Sequence, residues 1–268
     1  MYHAPEAPVL LETKDGIATV TLNRPRAMNA LSEDMLSALQ TVWDDLKGNR
    51  DVKAVILRGA GDHFCAGHNL KEMTARRSDP DGGAGYFNDL FATCSKMMMS
   101  IVNLPQPVIA EVQGIATAAG CQLVATCDLA VAAEDARFAT SGVNIGLFCS
   151  TPMVALSRNV TRKQAMEMLL LGDFLPAQQA AEIGLINRAV PNDTLADAAR
   201  RMASAIVGKA PVAIKIGKES FYKQAEMTLA DAYAYAGAAM AENMMARDTK
   251  AGIDAFINKQ PMPDWTGD

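Results

Sequence analysis

Pro107–Asp135 reads PVIAEVQGIATAAGCQLVATCDLAVAAED. Its two ends, Pro107–Gly114 and Asp128–Asp135, are short apolar runs of the kind found in strands buried on both faces. Between them, Thr117–Cys127 is made mostly of small residues and reads as a tightly packed buried helix. Strand, helix and strand in so short a span set an α/β pattern.

The flanks repeat the theme. Val9–Asn23, VLLETKDGIATVTLN, holds two strand-like runs around Asp15-Gly16, a strong hairpin signal. Ser32 is a good N-cap, and Met35, Leu36, Leu39, Val42, Trp43 and Leu46 follow at helical spacing until Gly48. Lys53–Gly61 reads as another buried strand. Thr74–Tyr86, TARRSDPDGGAGY, is polar and glycine-rich and reads as a mobile lid or binding loop. After about Pro191 strand signals stop and long Ala- and Met-rich helical runs begin. The expected division is an α/β core over 1–195 and a helical oligomerisation region over 196–268.

Composition excludes several classes. The chain has 268 residues, half of them hydrophobic, and a net charge of −5. No basic run denser than Arg76-Arg77 is present, which argues against nucleic acid as a partner. Five cysteines without a CxxC pair, and only His3, His63 and His68 as histidines, argue against a metal site. Free thiols fit a reducing compartment. The N-terminus MYHAPEAPVLLE has no secretory pattern, and no apolar stretch approaches the ~20 residues of a membrane span. A soluble, cytoplasmic protein with no membrane partner is expected.

Three motifs resemble one family. Gly61–Met73 (GDHFCAGHNLKEM), Gly114–Ala132 (GIATAAGCQLVATCDLAVA) and Leu171–Pro191 (LGDFLPAQQAAEIGLINRAVP) together look like the crotonase superfamily, the enoyl-CoA hydratases and isomerases. The similarity runs from VTLNRPRAMNAL to GIDAFINK, and Phe138–Pro152 looks most like one branch of the family. The resemblance implies a crotonase-like (ClpP/crotonase) spiral of ββα units with a helical C-terminal part that builds a homotrimer or a dimer of trimers. It implies an acyl-CoA thioester of fatty acid metabolism as ligand, with coenzyme A as part of the substrate and no separate cofactor. It places an oxyanion hole at the backbone N–H groups of His68 and Ala119, followed by Gly120. Arg26, Ala27, Ala66, Leu70, Phe256 and Lys259 match positions that contact coenzyme A. The chemistry behind the hole is general: a polarised thioester forms an enolate, and fixed backbone donors at a helix start stabilise its oxygen.

Two positions depart from the family pattern. The hydratases place one glutamate where this chain has Gln122. An ungapped count from Phe138 puts the second at Gly142. Gln122 cannot take a proton at neutral pH, and Gly142 has no side chain. Cys149, after the second motif, is a candidate pocket residue, and the His68 imidazole reads as a bystander. Glu111 and Asp128 read as structural charges and His63 as a surface residue. The readings left open are a hydratase or isomerase (lyase or isomerase class) of weak or altered activity, a non-catalytic acyl-CoA binder or regulator, and an acyl-CoA hydrolase or decarboxylase.

Overall fold

A computed structural model describes residues 6–268. Residues 1–5, which hold His3 and part of the stretch read for a secretory signal, lie outside the described residues.

The chain begins with the expected hairpin, β1 (Val9–Lys14) and β2 (Ile17–Leu22). Asp15 and Gly16 between them both have positive φ, +53° and +75°, which suits a two-residue hairpin turn. A 3₁₀ turn (Pro25–Ala27) leads to α1 (Glu33–Lys47), where the Ser32 hydroxyl accepts from the Met35 N–H and the six predicted apolar residues are buried. Next come β3 (Ala54–Gly59), α2 (Leu70–Ala75), a 3₁₀ turn (Arg76–Ser78) and α3 (Ala84–Val102). The central stretch gives β4 (Val108–Val112), β5 (Ile115–Thr117), α4 (Ala119–Thr126), β6 (Leu129–Ala133) and β7 (Arg137–Ala139). A 3₁₀ helix (Ser141–Ile145) precedes α5 (Ser150–Leu156), α6 (Arg162–Leu171), β8 (Leu175–Pro176), α7 (Ala177–Glu182) and β9 (Arg188–Val190). The remainder is α8 (Leu195–Val207), α9 (Pro211–Gln224), α10 (Leu229–Met245) and α11 (Arg247–Ile257).

Two sheets result. One runs β1-β2-β3-β4-β6-β9, with every pairing after the hairpin parallel; the other is β5-β7-β8. In β4–β5–α4 and β6–β7–α5 each strand pair splits between the two sheets before its helix. A lone bridge from Cys65 to Ala116 repeats the pattern after β3. This is the ββα spiral.

The segment Thr74–Tyr86 is a correction. It is not an open loop: the Asp81 carboxylate accepts from the Gly83 and Gly85 N–H groups at 2.9 and 2.8 Å and closes the start of α3. Arg76 lies over the Tyr86 ring at 5.0 Å and pairs with Glu33 at 3.5 Å. Asp-Gly-Gly acts here as a helix start, although its composition resembles that of a loop.

The C-terminal helices divide in two. α8 buries Leu195, Ala198, Ala199 and Ala203 against the large sheet. α9, α10 and α11 stand away from the sheet, and α9 packs on α10. They expose Leu229, Tyr233, Met240, Met245, Phe256 and Ile257. One buried polar link ties α9 to the core. Lys218 Nζ donates to Asp128 Oδ2 (2.7 Å) and to the Ile101 and Gln106 carbonyls (2.9 and 3.0 Å), and Tyr222 donates to Asp128 Oδ1 (3.0 Å). Asp128 also accepts from the Val108 N–H at 2.7 Å, so its structural reading holds. Burial lowers the pKa of Lys218, while Asp128 opposes the shift.

Lys218→Met should therefore destabilise the protein by about 3–5 kcal/mol, because it strands a buried carboxylate. Urea denaturation measures this, and a loss below about 1 kcal/mol would show that the link does not hold α9 in place.

Candidate functional site

Past the end of β3, Phe64–Asn69 runs between two other backbones. On one side the Cys65 N–H donates to Ile115 O (3.1 Å) and Thr117 N–H to Cys65 O (3.0 Å). On the other, Ala66 N–H donates to Met28 O (3.0 Å) and Leu31 N–H to Gly67 O (2.8 Å). Asn29, fully buried, fixes the turn by donating to the Ala60 and His63 carbonyls at 3.0 and 2.8 Å. Among the described residues these pairings leave two amides without a backbone acceptor: Gly67 N–H, which bonds the Cys65 thiol, and His68 N–H, which has no partner.

The start of α4 leaves another. Ala119 is its first residue, and its N–H also lacks a backbone acceptor, as first-turn amides do. Ala118 before it is held at φ +51°, ψ −119°, by its N–H on Ala139 O (2.9 Å) and by Gln122 N–H on its carbonyl (3.0 Å). A non-glycine residue there costs about 1–3 kcal/mol, and such strain clusters at functional sites. The two amides meet through Gly67, where a Cβ would stand 3.1 Å from Ala119 N and 3.0 Å from the Ala118 Cβ. A Cβ on Gly120 would collide with the Cys65 carbonyl. The small residues are required because two backbones pack directly against each other.

Two free N–H dipoles and the positive end of α4 can hold a carbonyl or oxyanion oxygen. The groups around them are neutral. Gln122 is 5% exposed, and its Oε1 has no hydrogen-bond partner. The Thr140 hydroxyl is buried and unpartnered, and Thr117 and Ser141 share a hydrogen bond of 2.8 Å. Cys149 is buried with its Sγ against Gly142, and burial raises its thiol pKa. Burial pushes neighbouring Cys121 up to about 12. These thiols stay protonated and unreactive at neutral pH. The His68 ring packs edge-on against Phe91 at 5.6 Å, and neither ring nitrogen makes a hydrogen bond. Burial lowers its pKa, with the Leu31 backbone opposing, so the ring is neutral at pH 7.

Gly142 adds a constraint that its sequence position does not reveal. It is buried in the 3₁₀ helix, and a Cβ there would collide with the Leu147 carbonyl oxygen and stand 2.9 Å from Cys149 Sγ. No side chain fits while Leu147–Cys149 keeps this path.

The remaining predicted residues fall into two groups. Arg26 and Ala27 are exposed beside Ala66, joined through Met28, and Leu70, half exposed, opens α2. These four share the edge where His68 emerges. Phe256 is 76% exposed, and Lys259 lies just past α11; among the described residues no hydrogen bond or ion pair brings them to that edge. Glu111 is 8% exposed, makes no hydrogen bond or ion pair among the described residues, and has its pKa raised by burial with only Arg58 opposing. Arg58, opposite it on β3, donates to the Thr21 hydroxyl and faces Glu111 as a charge without a direct ion pair. His63 lies in the turn, partly buried and partly exposed. Asn29, Thr140 and the Thr117–Ser141 pair were not singled out from sequence. Asn29 lies within the quoted VTLNRPRAMNAL, but a lone Asn or Thr carries no signal of its own.

The enoyl-CoA hydratase/isomerase family model matches residues 12–268. Enoyl-CoA hydratase domain-containing protein 3, mitochondrial, of Rattus norvegicus is 45% identical over 94% of this chain and 82% of that protein. This is the branch that Phe138–Pro152 resembles. An enoyl-CoA hydratase of Mycobacterium smegmatis has a similar crystal structure, with a TM-score of 0.93, 52% identity, and coverage of 97% of this chain and 99% of that one. The crystal structure of human enoyl coenzyme A hydratase domain-containing protein 3 gives a TM-score of 0.91, 44% identity, and coverage of 96% and 100%.

Gly142→Ala should cost about 1–3 kcal/mol by overpacking, whereas Gly217→Ala, in open space within α9, should be neutral or stabilising. Thermal denaturation of the two variants checks the contrast, and equal effects would refute the assigned path of Leu147–Cys149.

Proposed function

The chain belongs to the enoyl-CoA hydratase/isomerase family, and from that premise we propose that it binds an acyl-CoA thioester and stabilises the thioester enolate without the usual acid–base pair. The observation that carries this reading is the pair of unpartnered N–H groups, His68 and Ala119, set against each other across Gly67. In the proposal both donate to the thioester oxygen. Polarisation there acidifies the α-carbon and makes the β-carbon electrophilic. One such donor is typically worth ~10²–10³ in rate. Gly120 lets α4 approach closely enough for its positive end to contribute.

Proton transfer is the missing half. Hydration needs a water activated at the β-carbon and a proton for the α-carbon. At the two family positions stand Gln122, which carries no titratable proton, and Gly142, which has no room for a side chain. The general acid–base contribution, typically ~10²–10⁴, is absent in its usual form. The closed space at Gly142 also favours a second reading, a non-catalytic acyl-CoA binder.

For coenzyme A we propose Arg26, Ala27, Ala66 and Leu70 as the contacts supplied by the same chain. Phe256 and Lys259 would act across a subunit boundary, in a homotrimer or a dimer of trimers. The exposed apolar residues of α10 and α11 support such an assembly. Among the described residues no helix is long and apolar enough to cross a membrane. Five free cysteines support a reducing compartment, for which we propose the cytoplasm; the Rattus norvegicus relative is named as mitochondrial.

The unmodified protein should hydrate crotonyl-CoA at least ~10²-fold below a typical kcat of ~10–10³ s⁻¹, and Gln122→Glu alone should raise the rate. A typical kcat in the unmodified protein overturns the proposal. Ala119→Pro, once shown to be folded, should weaken acyl-CoA binding about tenfold or more by removing one donor. Unchanged affinity would mean that the site is elsewhere.

Sedimentation at micromolar concentration should give a trimer or hexamer, and a monomer alone would refute the assembly.

A further inference from the structure

A second concavity of about 320 Å³ lies at the opposite end of the large sheet, where the chain enters β3 and β4. Lys47, Arg50, Lys53, Lys209 and Lys215 all line it. They come from separate stretches: the end of α1, the approach to β3, and the α8–α9 turn with the first turns of α9. Among the described residues no carboxylate lies within 4.0 Å of any of the four lysine ammonium groups. Two acids lie nearby, and Glu219 also acts on Lys215 through its charge. Asp268 pairs with Arg50 at 3.6 Å, and Glu219, one turn beyond Lys215, pairs with Lys223. Five cations thus line one hollow of a chain with net charge −5. A multiply charged anion would meet several positive partners there.

The walls are fixed. Gln106, 6% exposed, spends its amide nitrogen on the Leu46 and Asn49 carbonyls at 2.9 and 3.0 Å. Trp265 Nε1 donates to Gly208 O at 3.0 Å. The Asp248 carboxylate accepts from the Thr266 and Gly267 N–H groups at 2.9 and 2.8 Å, which pins the strand of chain forming one rim. α9 opens at this hollow with Pro211 in its first turn, no capping side chain and no acid there. Its positive end adds to the lysine field.

We propose that this hollow binds a diphosphate group, either as the free anion or as part of a nucleoside diphosphate. Lysines suit phosphoryl oxygens as mobile point charges. A volume near the lower end for small-molecule sites fits a compact ligand better than a polymer. The proposal rests on this groove alone and stands or falls independently of the acyl site.

The test is calorimetric titration of the full chain with inorganic pyrophosphate, and separately with ADP, at ~50 and ~200 mM salt. One saturable site per chain is expected, weakening as salt rises. Lys53→Gln/Lys209→Gln should lose about tenfold or more in affinity, while Lys163→Gln, an exposed lysine on α6, should lose nothing. Lys215→Glu is a second, independent variant with the same expected loss. Tighter ADP binding identifies the nucleotide as the source of the group, and tighter pyrophosphate binding the free anion. The proposal is overturned if neither ligand saturates, if both groove variants bind as the parent does, or if a single-stranded oligonucleotide or an anionic lipid vesicle binds more tightly than either.

Discussion

The segment Cys65–His68 and the first turn of α4 touch backbone to backbone, and that contact constrains the rest of the site. It admits no Cβ at Gly120 and leaves Gly67 against the Ala119 nitrogen. It holds Ala118 in a conformation that alanine seldom adopts. The strain persists because the surrounding backbone over-determines it: Ala118 is hydrogen-bonded on both sides, and Cys65 is bridged to β5. The contact leaves the amides of His68 and Ala119 without partners among the described residues. A bound oxygen would satisfy both at once, so the strained turn and the candidate function have the same cause.

The parallel sheet explains why these residues meet. β2, β3, β4 and β6 point the same way, so the loops leaving their far ends converge. The segment after β3, the β5 turn after β4 and the 3₁₀ helix after β7 all emerge on that side. The near ends instead gather the chain entries and the α8–α9 turn, where the lysine-lined hollow forms. Lys218 and Asp128 connect this end to α9. The two faces thus differ in charge character: neutral hydrogen-bonding groups around the proposed acyl site, and five cations around the hollow, of which Arg50 pairs with Asp268.

Much of this was legible in the sequence because it rests on local rules. Asp15-Gly16 marked the hairpin, Ser32 the start of α1, and the run of small residues after Thr117 the buried α4. What could not be read depends on distant pairs. Asp81 closes α3 through two amides, a role hidden in a stretch whose composition looks like a loop. Arg58, opposite Glu111 on the next strand, spends its Nε on Thr21, a pairing that no local pattern encodes. α8 carries the same Ala-rich pattern as the later helices but covers the sheet, a difference set by which face meets Ala198 and Ala199. The collision at Gly142 needs the Leu147 carbonyl, five residues away along a path that no periodicity encodes.

That collision bears on how the site could have parted with its acids. If Gln122 stands at a family acid position, as proposed, the step from carboxylate to amide is small: the side chain keeps its size and one acceptor oxygen, and loses only the charge and the proton. At Gly142 the loss is tied to backbone path. With Leu147 O and Cys149 Sγ occupying the space, a carboxylate cannot be regained by substitution without moving Leu147–Cys149. The oxyanion donors carry no such dependence, because they are amides that every non-proline residue supplies. In the proposed function, thioester polarisation would therefore survive changes at both acid positions, whereas proton transfer would not. A chain of this kind would keep the proposed acyl-binding geometry while its reaction narrows to steps that the two amides support alone.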